Sequence, residues 1–324
     1  MSQIGVLRSA LDKEIEQYSY GVDPAELYEP IRYLMALQGK RLRPLLTLLS
    51  VNLFSDQWKQ ALQPAHAVEV FHNFTLMHDD IMDKAPVRRG SPTVHMRWNE
   101  NTAILSGDVM LVKAYELFLN LPADMLPDIL RKFGRTAAQV CEGQQLDMNF
   151  ETADKVSIAD YITMIRLKTS VLLGFALELG ALVARAGSEC GEILYEAGVN
   201  IGLGFQIMDD LLDVYGDPEK FGKQIGGDII ANKKTFLYLK ALELSEKEVR
   251  AELIELFSSI SPDPNGKIER VISIYNILNI REITSQLIES YFKNAVEAIR
   301  SLPAAENRKQ DLLAFIEYLM NRDR

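Results

Sequence analysis

The stretch HNFTLMHDDIMDKAPVRRGSPTVH, residues 72–95, decides how this chain is read. It sets Asp79, Asp80 and Asp83 inside an apolar run of helical character and follows them with Arg88 and Arg89. On a helix, residues four apart lie on one face about one turn apart, so Asp79 and Asp83 aim at the same point. Carboxylates gathered there repel each other and resist burial unless cations neutralise them. The pattern returns as DDLLD at 209–213, where Asp209 and Asp213 repeat the geometry. Each copy closes an apolar segment, AVEVFHNFTLMH (67–78) or EAGVNIGLGFQIM (196–208), and each leads into a loop with glycine or proline and basic residues. One such cluster is ordinarily a solvated helix end. Two in matching contexts point to Mg²⁺, which takes one or two carboxylates and is completed by waters and phosphate oxygens. A phosphorylated ligand is therefore expected.

Around the two clusters, apolar residues recur at three- and four-residue intervals almost throughout, and period-two alternation is scarce, so the chain is expected to be all-α. Helix breaks are expected at 120–128, 151–157, 216–228 and 261–266, with Ser157 and Asp160 set up as a capping box. None is long enough for an interdomain linker, and residues 1–324 are read as a single domain. At 324 residues and 48% hydrophobic, the chain can bury a large core. Its net charge of −10 argues against a nucleic-acid partner and means that an anionic substrate needs a metal as intermediary. The two cysteines, Cys141 and Cys190, form no zinc pattern and fit a reducing cytosol, so a cytoplasmic location is expected. The N-terminus does not read as a signal peptide. The most apolar window, TSVLLGFALELGALVA (169–184), is interrupted by Glu178 and falls short of the roughly 20 residues of a transmembrane segment.

Cations accompany the acids. Lys40, Arg41 and Arg43 stand beside Pro44, a residue that suits the first turn of a helix; Arg88 and Arg89 follow the first cluster, and Lys223 and Lys233 the second. Arginine offers phosphate a planar fork and lysine a point charge. Singly these are ordinary surface charges; together they suggest two anion sites around one cavity.

The motifs GKRLRP, HDDIMD, RRG, EGQQLD (142–147), KTS (168–170), FQIMDDLLDVYGD (205–217), GKQIGGD (222–228) and NKKT (232–235) resemble, in order and spacing, those of the trans-prenyltransferase family of polyprenyl diphosphate synthases, over nearly the whole chain. The resemblance implies an all-α isoprenoid-synthase fold, a single large helical bundle around a deep central cavity, usually a homodimer. It implies Asp79, Asp83 and Asp209 as direct Mg²⁺ ligands, with Asp80, Asp210 and Asp213 ligating through water or orienting them. Arg88, Lys168 and Lys233, assisted by Lys223, would hold the allylic diphosphate. Lys40, Arg43, His72 and Arg89 would bind isopentenyl diphosphate; His72 stands where relatives carry Gln. Thr169 and Gln206 would line the reacting centre, with Gln144 and Asp147 nearby.

The implied reaction is ionisation of the allylic diphosphate with three Mg²⁺, attack by isopentenyl diphosphate, and proton loss. Water must be excluded, and segments 84–95 and 215–234 are the candidate lids. Phe74 and Phe71 lie roughly 7.5 and 12 Å before Asp79 along a helix axis. An aromatic five positions before the first aspartate is similar to the pattern of geranylgeranyl (C20) synthases, with farnesyl (C15) or a longer product as alternatives. A helical wheel puts Thr75 and His72 near the aspartate face and Phe74 away from it, so ordinary core packing of Phe71 and Phe74 stays open. A class I terpene cyclase and a noncatalytic subunit of a heteromeric synthase are the competing readings. DDLLD and the isopentenyl-binding set count against the first, and two intact clusters against the second. The terminal NRDR could fold over the isopentenyl site.

Overall fold

A computed structural model describes residues 3–37, 39–216, 225–258 and 261–321. Helices dominate, as the periodicity requires: α1 (Gln3–Gln17), α2 (Ala25–Ala36), α3 (Leu42–Phe54), α4 (Leu62–Met82), α5 (Val94–Arg97), α6 (Glu100–Phe118), α7 (Leu126–Thr152) and α8 (Ile158–Ile165), then α9 (Val171–Val183) and α10 (Ser188–Tyr215). The C-terminal part adds α11 (Gly227–Ile230), α12 (Phe236–Leu244), α13 (Lys247–Leu256), α14 (Pro264–Ile277), α15 (Ile280–Ser301) and α16 (Glu306–Met320). The one sheet among the described residues is a ladder of β1 (Val87–Arg88) and β2 (Ser91–Pro92). The fold class is all-α, as the sequence predicts. Two compact units are distinguished: Met1–Thr136 with Leu172–Tyr195 and Ser301–Phe315, and Ala137–Val171 with Glu196–Arg300 and Ile316–Arg324.

The first unit is organised by aromatic packing. Phe71 of α4, Phe118 of α6, Phe133 of α7 and Phe175 of α9 are all fully buried, each ring worth about 2–3 kcal/mol on leaving water. Phe133 sits centrally, its centroid 5.1 Å from Phe71, 4.9 Å from Phe118 and 5.7 Å from Phe175. α9 approaches α3 closely because Gly180 carries no side chain: a methyl there would lie 2.5 Å from the Thr47 carbonyl oxygen. Ser50 uses that proximity to donate a hydrogen bond to the Leu177 carbonyl at 2.6 Å. Glu178, the charge inside the apolar window, is buried and meets the Lys132 ammonium at 2.6 Å, so α7 supplies the counter-ion that makes the window tolerable.

In the second unit the capping box forms as the sequence predicts: Asp160 N–H donates to Ser157 Oγ at 3.1 Å, and Ser157 N–H to Asp160 Oδ2 at 3.0 Å. α14 starts the same way, with Asp263 accepting from Gly266 N–H at 3.0 Å and Pro264 at its first position. Tyr161, Tyr275 and Phe292 are the large buried side chains here. All four predicted breaks separate helices, although residues 217–224 of the third lie outside the described ones.

Candidate active site

The first acidic pentad ends α4. Asp83 caps the helix, its N–H donating to the Asp79 carbonyl at 2.8 Å, and Lys84 turns left-handed at φ 51°. Lys84 N–H then donates to Ile81 O (3.2 Å) and Ala85 N–H to Asp80 O (3.0 Å), the paired bonds of a Schellman ending with lysine where glycine is usual. The chain next folds into the β1–β2 hairpin, whose two turn residues, Arg89 (φ 53°) and Gly90 (φ 76°), are both left-handed as a type I′ turn demands. Candidate lid 84–95 is thus a helix stop and a tight hairpin.

That hairpin separates the two arginines. Arg88 returns to the acids: its Nε donates to both carboxylate oxygens of Asp80 at 2.8 and 2.9 Å, and its Nη2 lies 2.8 Å from Asp80 and 3.6 Å from Asp79. Here is the compensating charge for the aspartates. Burial raises the Asp80 pKa, Arg88 opposes the rise, and neighbouring Asp79 adds to it. Arg89 leans the other way, over Gly39, where a methyl would come within 3.0 Å of the guanidinium. Its Nη1 is 3.5 Å from Asn73 Oδ1, and Asn73 in turn donates to buried Glu69 at 3.1 Å. Arg43, on the first turn of α3, places Nη1 3.2 Å from His72 Nε2. His72 titrates well below the usual histidine range, through burial and then the guanidiniums of Arg43, Arg89 and Arg88, so it is a neutral acceptor facing Arg43. Lys40 is exposed next to this group.

Phe71 is fully buried and Phe74 is 8% exposed; their centroids lie 5.6 Å apart, and Phe74 also meets His78 at 4.8 Å. Both belong to the aromatic core. Thr75, half-buried, donates its hydroxyl to the His72 carbonyl at 2.8 Å.

The second pentad closes α10. Asp209 and Asp213 are half-buried, and Asp210 between them is buried. Asp210 accepts a hydrogen bond from Tyr161 and a second from Gln206 Nε2 at 3.1 Å. Burial, and then the charges of Asp228 and Asp209, push its pKa up to about 8 against those two bonds. Gln206 also accepts from the Thr169 hydroxyl at 3.1 Å, so Thr169, Gln206, Asp210 and Tyr161 form one chain of hydrogen bonds. Asp213 accepts from Asp228 N–H at 2.9 Å through Oδ2.

KTS owes its placement to the backbone. Residues Arg166–Ser170 form a π turn, with Val171 N–H reaching back five residues to the Arg166 carbonyl. Two glycines press on it: a methyl on Gly143 of α7 would lie 2.6 Å from Lys168 Cα, and one on Gly202 of α10 would lie 2.5 Å from Ser170 Cα. Lys168 is thereby brought to Asp147 of α7, Nζ to Oδ2 at 2.5 Å, with Gln144 half-buried one turn away. Lys233 is exposed, 3.5 Å from Asp228. Lys223 lies outside the described residues, as do all but Asn321 of NRDR.

The structure therefore groups Asp79 and Asp80 with Arg88, and beside Arg43 it groups His72 and Arg89; elsewhere it joins Lys168 to Asp147 and Thr169 to Gln206 and Asp210. Sequence reasoning missed Tyr161, Asn73, Glu69 and Asp228. Asp228 stands in the quoted GKQIGGD motif and could have been named; Tyr161 carries no local signal, because its partner is 49 positions away. Among the described residues no three His, Cys, Asp or Glu side chains converge to hold a metal alone. Both pentads offer only oxygen donors, a set that fits a hard divalent ion brought with phosphate.

Comparison with known proteins agrees with this chemistry. The family model described as polyprenyl synthetase matches residues 24–275. A geranylgeranyl diphosphate synthase of Methanosarcina mazei is 36% identical over 97% of this chain and 95% of its own. A geranylfarnesyl diphosphate synthase of Aeropyrum pernix is 33% identical over 93% and 96%. A crystal structure of a geranylgeranyl pyrophosphate synthase superposes with a TM-score of 0.95, at 45% identity and 100% coverage of both chains. A polyprenyl synthase from Caulobacter crescentus CB15, complexed with calcium and isoprenyl diphosphate, has a TM-score of 0.83 at 27% identity, covering 99% of this chain and 95% of that one.

Proposed function

This chain belongs to the polyprenyl synthetase family and is a prenyltransferase, and from that premise we propose that it is a short-chain trans-prenyl diphosphate synthase making geranylgeranyl diphosphate. The family uses isoprenoid diphosphates and generally depends on divalent metal. The observation carrying the reading is the common build of the two pentads. In each, the second aspartate is buried and held by hydrogen bonds, from Arg88 to Asp80 and from Tyr161 and Gln206 to Asp210, while the first and last are left more accessible. That suits Asp79, Asp83 and Asp209 as ligands of Mg²⁺, three ions in all, with Asp80, Asp210 and Asp213 orienting them.

Magnesium bound with the diphosphate supplies the positive charge that makes it a leaving group. Arg88, Lys168 and Lys233, with Lys223, bind the allylic diphosphate and stabilise the same charge. Thr169 and Gln206 present oxygens to the allylic centre as it turns cationic, and their mutual hydrogen bond fixes the direction of both. Lys40, Arg43 and Arg89 grip isopentenyl diphosphate, with neutral His72 orienting Arg43. The released diphosphate takes the proton lost in forming the new double bond. Phe74, the less buried of the two aromatics, stops the growing tail. A C20 product agrees with the names of the relatives at 36% and 45% identity, and the C25 relative at 33% makes length the part most in need of measurement.

The whole of 1–324 acts as one catalytic domain, in the cytoplasm; no helix among the described residues is long and apolar enough to cross a membrane. A homodimer is supported by Leu105, Val112 and Leu119, each more than half exposed and spaced at sevens along and just beyond α6, a stripe that a second copy can cover.

The test is to assay the purified chain alone with Mg²⁺, isopentenyl diphosphate and each allylic primer, and to weigh the products. A C20 diphosphate supports the proposal. Cyclised hydrocarbon would identify a cyclase, and no turnover without a second protein would identify a noncatalytic subunit.

A further inference from the structure

The NKKT turn is tied down by side chains that the reaction scheme leaves unused. α11 ends at Asn232, left-handed at φ 58°, where Asn232 N–H donates to Ile229 O at 3.2 Å and Lys233 N–H to Asp228 O at 2.9 Å. This is a Schellman ending with asparagine in the position that tolerates it best after glycine. It fixes the backbone entering Lys233, while other contacts fix where the turn sits. Upstream, Gly226 N–H donates to the Asp213 carbonyl at 2.7 Å. Downstream, Lys234 Nζ donates to the Phe150 and Glu151 carbonyls at 2.6 and 3.3 Å, at the end of α7 where carbonyls lack helical partners and the dipole is negative.

The last tie is Lys267. It lies in the first turn of α14, is 3% exposed, and donates through Nζ to Asn232 Oδ1. Its ammonium also stands 4.9 Å from the Phe257 ring centroid, and that ring stacks on Tyr238 at 4.1 Å. Among the described residues no carboxylate pairs with it. Stability alone does not account for a lysine here. Desolvation lowers its pKa, the first turn of a helix disfavours a cation, and an amide oxygen with an aromatic face is thin compensation for a buried charge. Methionine would fill the same space without these costs.

We propose that Lys267 is a positioning residue, whose bond to Asn232 sets the place of the turn that presents Lys233 to the allylic diphosphate. The proposal rests on the assignment of Lys233 given above. Asn232, held on one side by its backbone and on the other by Lys267, transmits the position of α14 to the next residue in the chain. The buried ammonium is retained for direction, because an apolar side chain of the same length could not hold the amide oxygen.

The test uses the full chain, four single variants and one double variant, with steady-state kinetics against farnesyl diphosphate and isopentenyl diphosphate and a thermal melt for each. Lys233→Ala is the reference and is expected to raise KM for farnesyl diphosphate about tenfold. Lys267→Met and Asn232→Gly, which keeps the left-handed backbone while removing the acceptor, should each raise that KM about fivefold and leave KM for isopentenyl diphosphate within about twofold. Asn232→Asp, which keeps an acceptor, should stay near the parent. The melting temperature of Lys267→Met should be no lower than the parent's, and the Lys267→Met/Asn232→Gly double variant no worse than either single. If Lys267→Met lowers the melting temperature and moves both KM values together, Lys267 is merely structural and the proposal falls. If Asn232→Gly leaves the farnesyl diphosphate KM unmoved while Lys233→Ala raises it, the tie is refuted and the role of Lys233 stands. A silent Lys233→Ala would instead remove the assignment on which both rest.

Discussion

Replacing Gly143 by alanine should damage catalysis far more than folding. The added methyl would lie 2.6 Å from Lys168 Cα and 2.7 Å from the Leu167 carbonyl carbon, all backbone. Carbon atoms in contact prefer about 3.5–4.0 Å, so the π turn must retreat by about 1 Å. Lys168 and Thr169 ride on that turn. A misplacement of about 1 Å at a reacting centre costs on the order of 10²-fold in rate, equivalent to about 2.7 kcal/mol on the barrier. Overpacking costs about 1–3 kcal/mol of stability, and replacing glycine inside a helix returns up to about 1, leaving a net loss of about 0–2 kcal/mol. Gly134→Ala is the control on the same helix, since its methyl would meet nothing nearer than the Tyr115 hydroxyl at 3.6 Å, an ordinary contact. Initial rates at saturating substrate and thermal melts of both variants measure the two effects. A Gly143→Ala enzyme with a rate within about threefold of the parent, and a melting temperature raised as in Gly134→Ala, would refute the close approach of α7 to the π turn.

Truncation of Phe74 to alanine opens the aromatic core next to α4 and should lengthen the product at a cost of about 3 kcal/mol; mass analysis of the diphosphates checks it, and an unchanged distribution removes Phe74 as the stop. His66 is fully buried beside the Tyr20 hydroxyl, and burial lowers its pKa to about 3. Its neutral form is the folded one, so its contribution is full above about pH 6.5 and is lost as pH falls, by about 2.7 kcal/mol between pH 6.5 and 4.5. Denaturant midpoints should drop over that window, and less steeply in His66→Gln. Lys132→Ala leaves Glu178 buried without its ammonium and should cost about 2 kcal/mol, whereas Glu178→Gln leaves a lysine that is one-third exposed and should cost less than half as much in the same melts. Prenyl transfer should vanish on chelation of divalent ions and return with Mg²⁺, with far-ultraviolet circular dichroism unchanged throughout.

What was legible in the sequence was whatever depends on near neighbours. Helix periodicity, the Ser157–Asp160 box, Pro44 in the first turn of α3 and the two pentads are all set within a few residues, and each appears where expected. The partnerships that orient the pentads were not legible, because they join distant positions: Tyr161 to Asp210, Lys132 to Glu178, Lys267 to Asn232. Arg88 shows the boundary well. Its closeness to the acids could be read, but its engagement with Asp80 depends on the type I′ turn at Arg89–Gly90, and arginine is an unusual residue for a left-handed position. The π turn was invisible for another reason, since RLKTS suits an ordinary helix and only the two glycines beyond it reveal the crowding.

A turn of this kind contains one residue more than the regular turn it replaces. Deleting a single residue between Arg166 and Ser170 should therefore yield not a broken segment but a smooth one, with the helix beyond it keeping its facing while Lys168 and Thr169 lose theirs. Read in the other direction, a lone codon gained in an unremarkable helix would have sufficed to aim a lysine and a threonine inward together. Chemistry could thus arrive at this spot while the rest of the scaffold kept its shape.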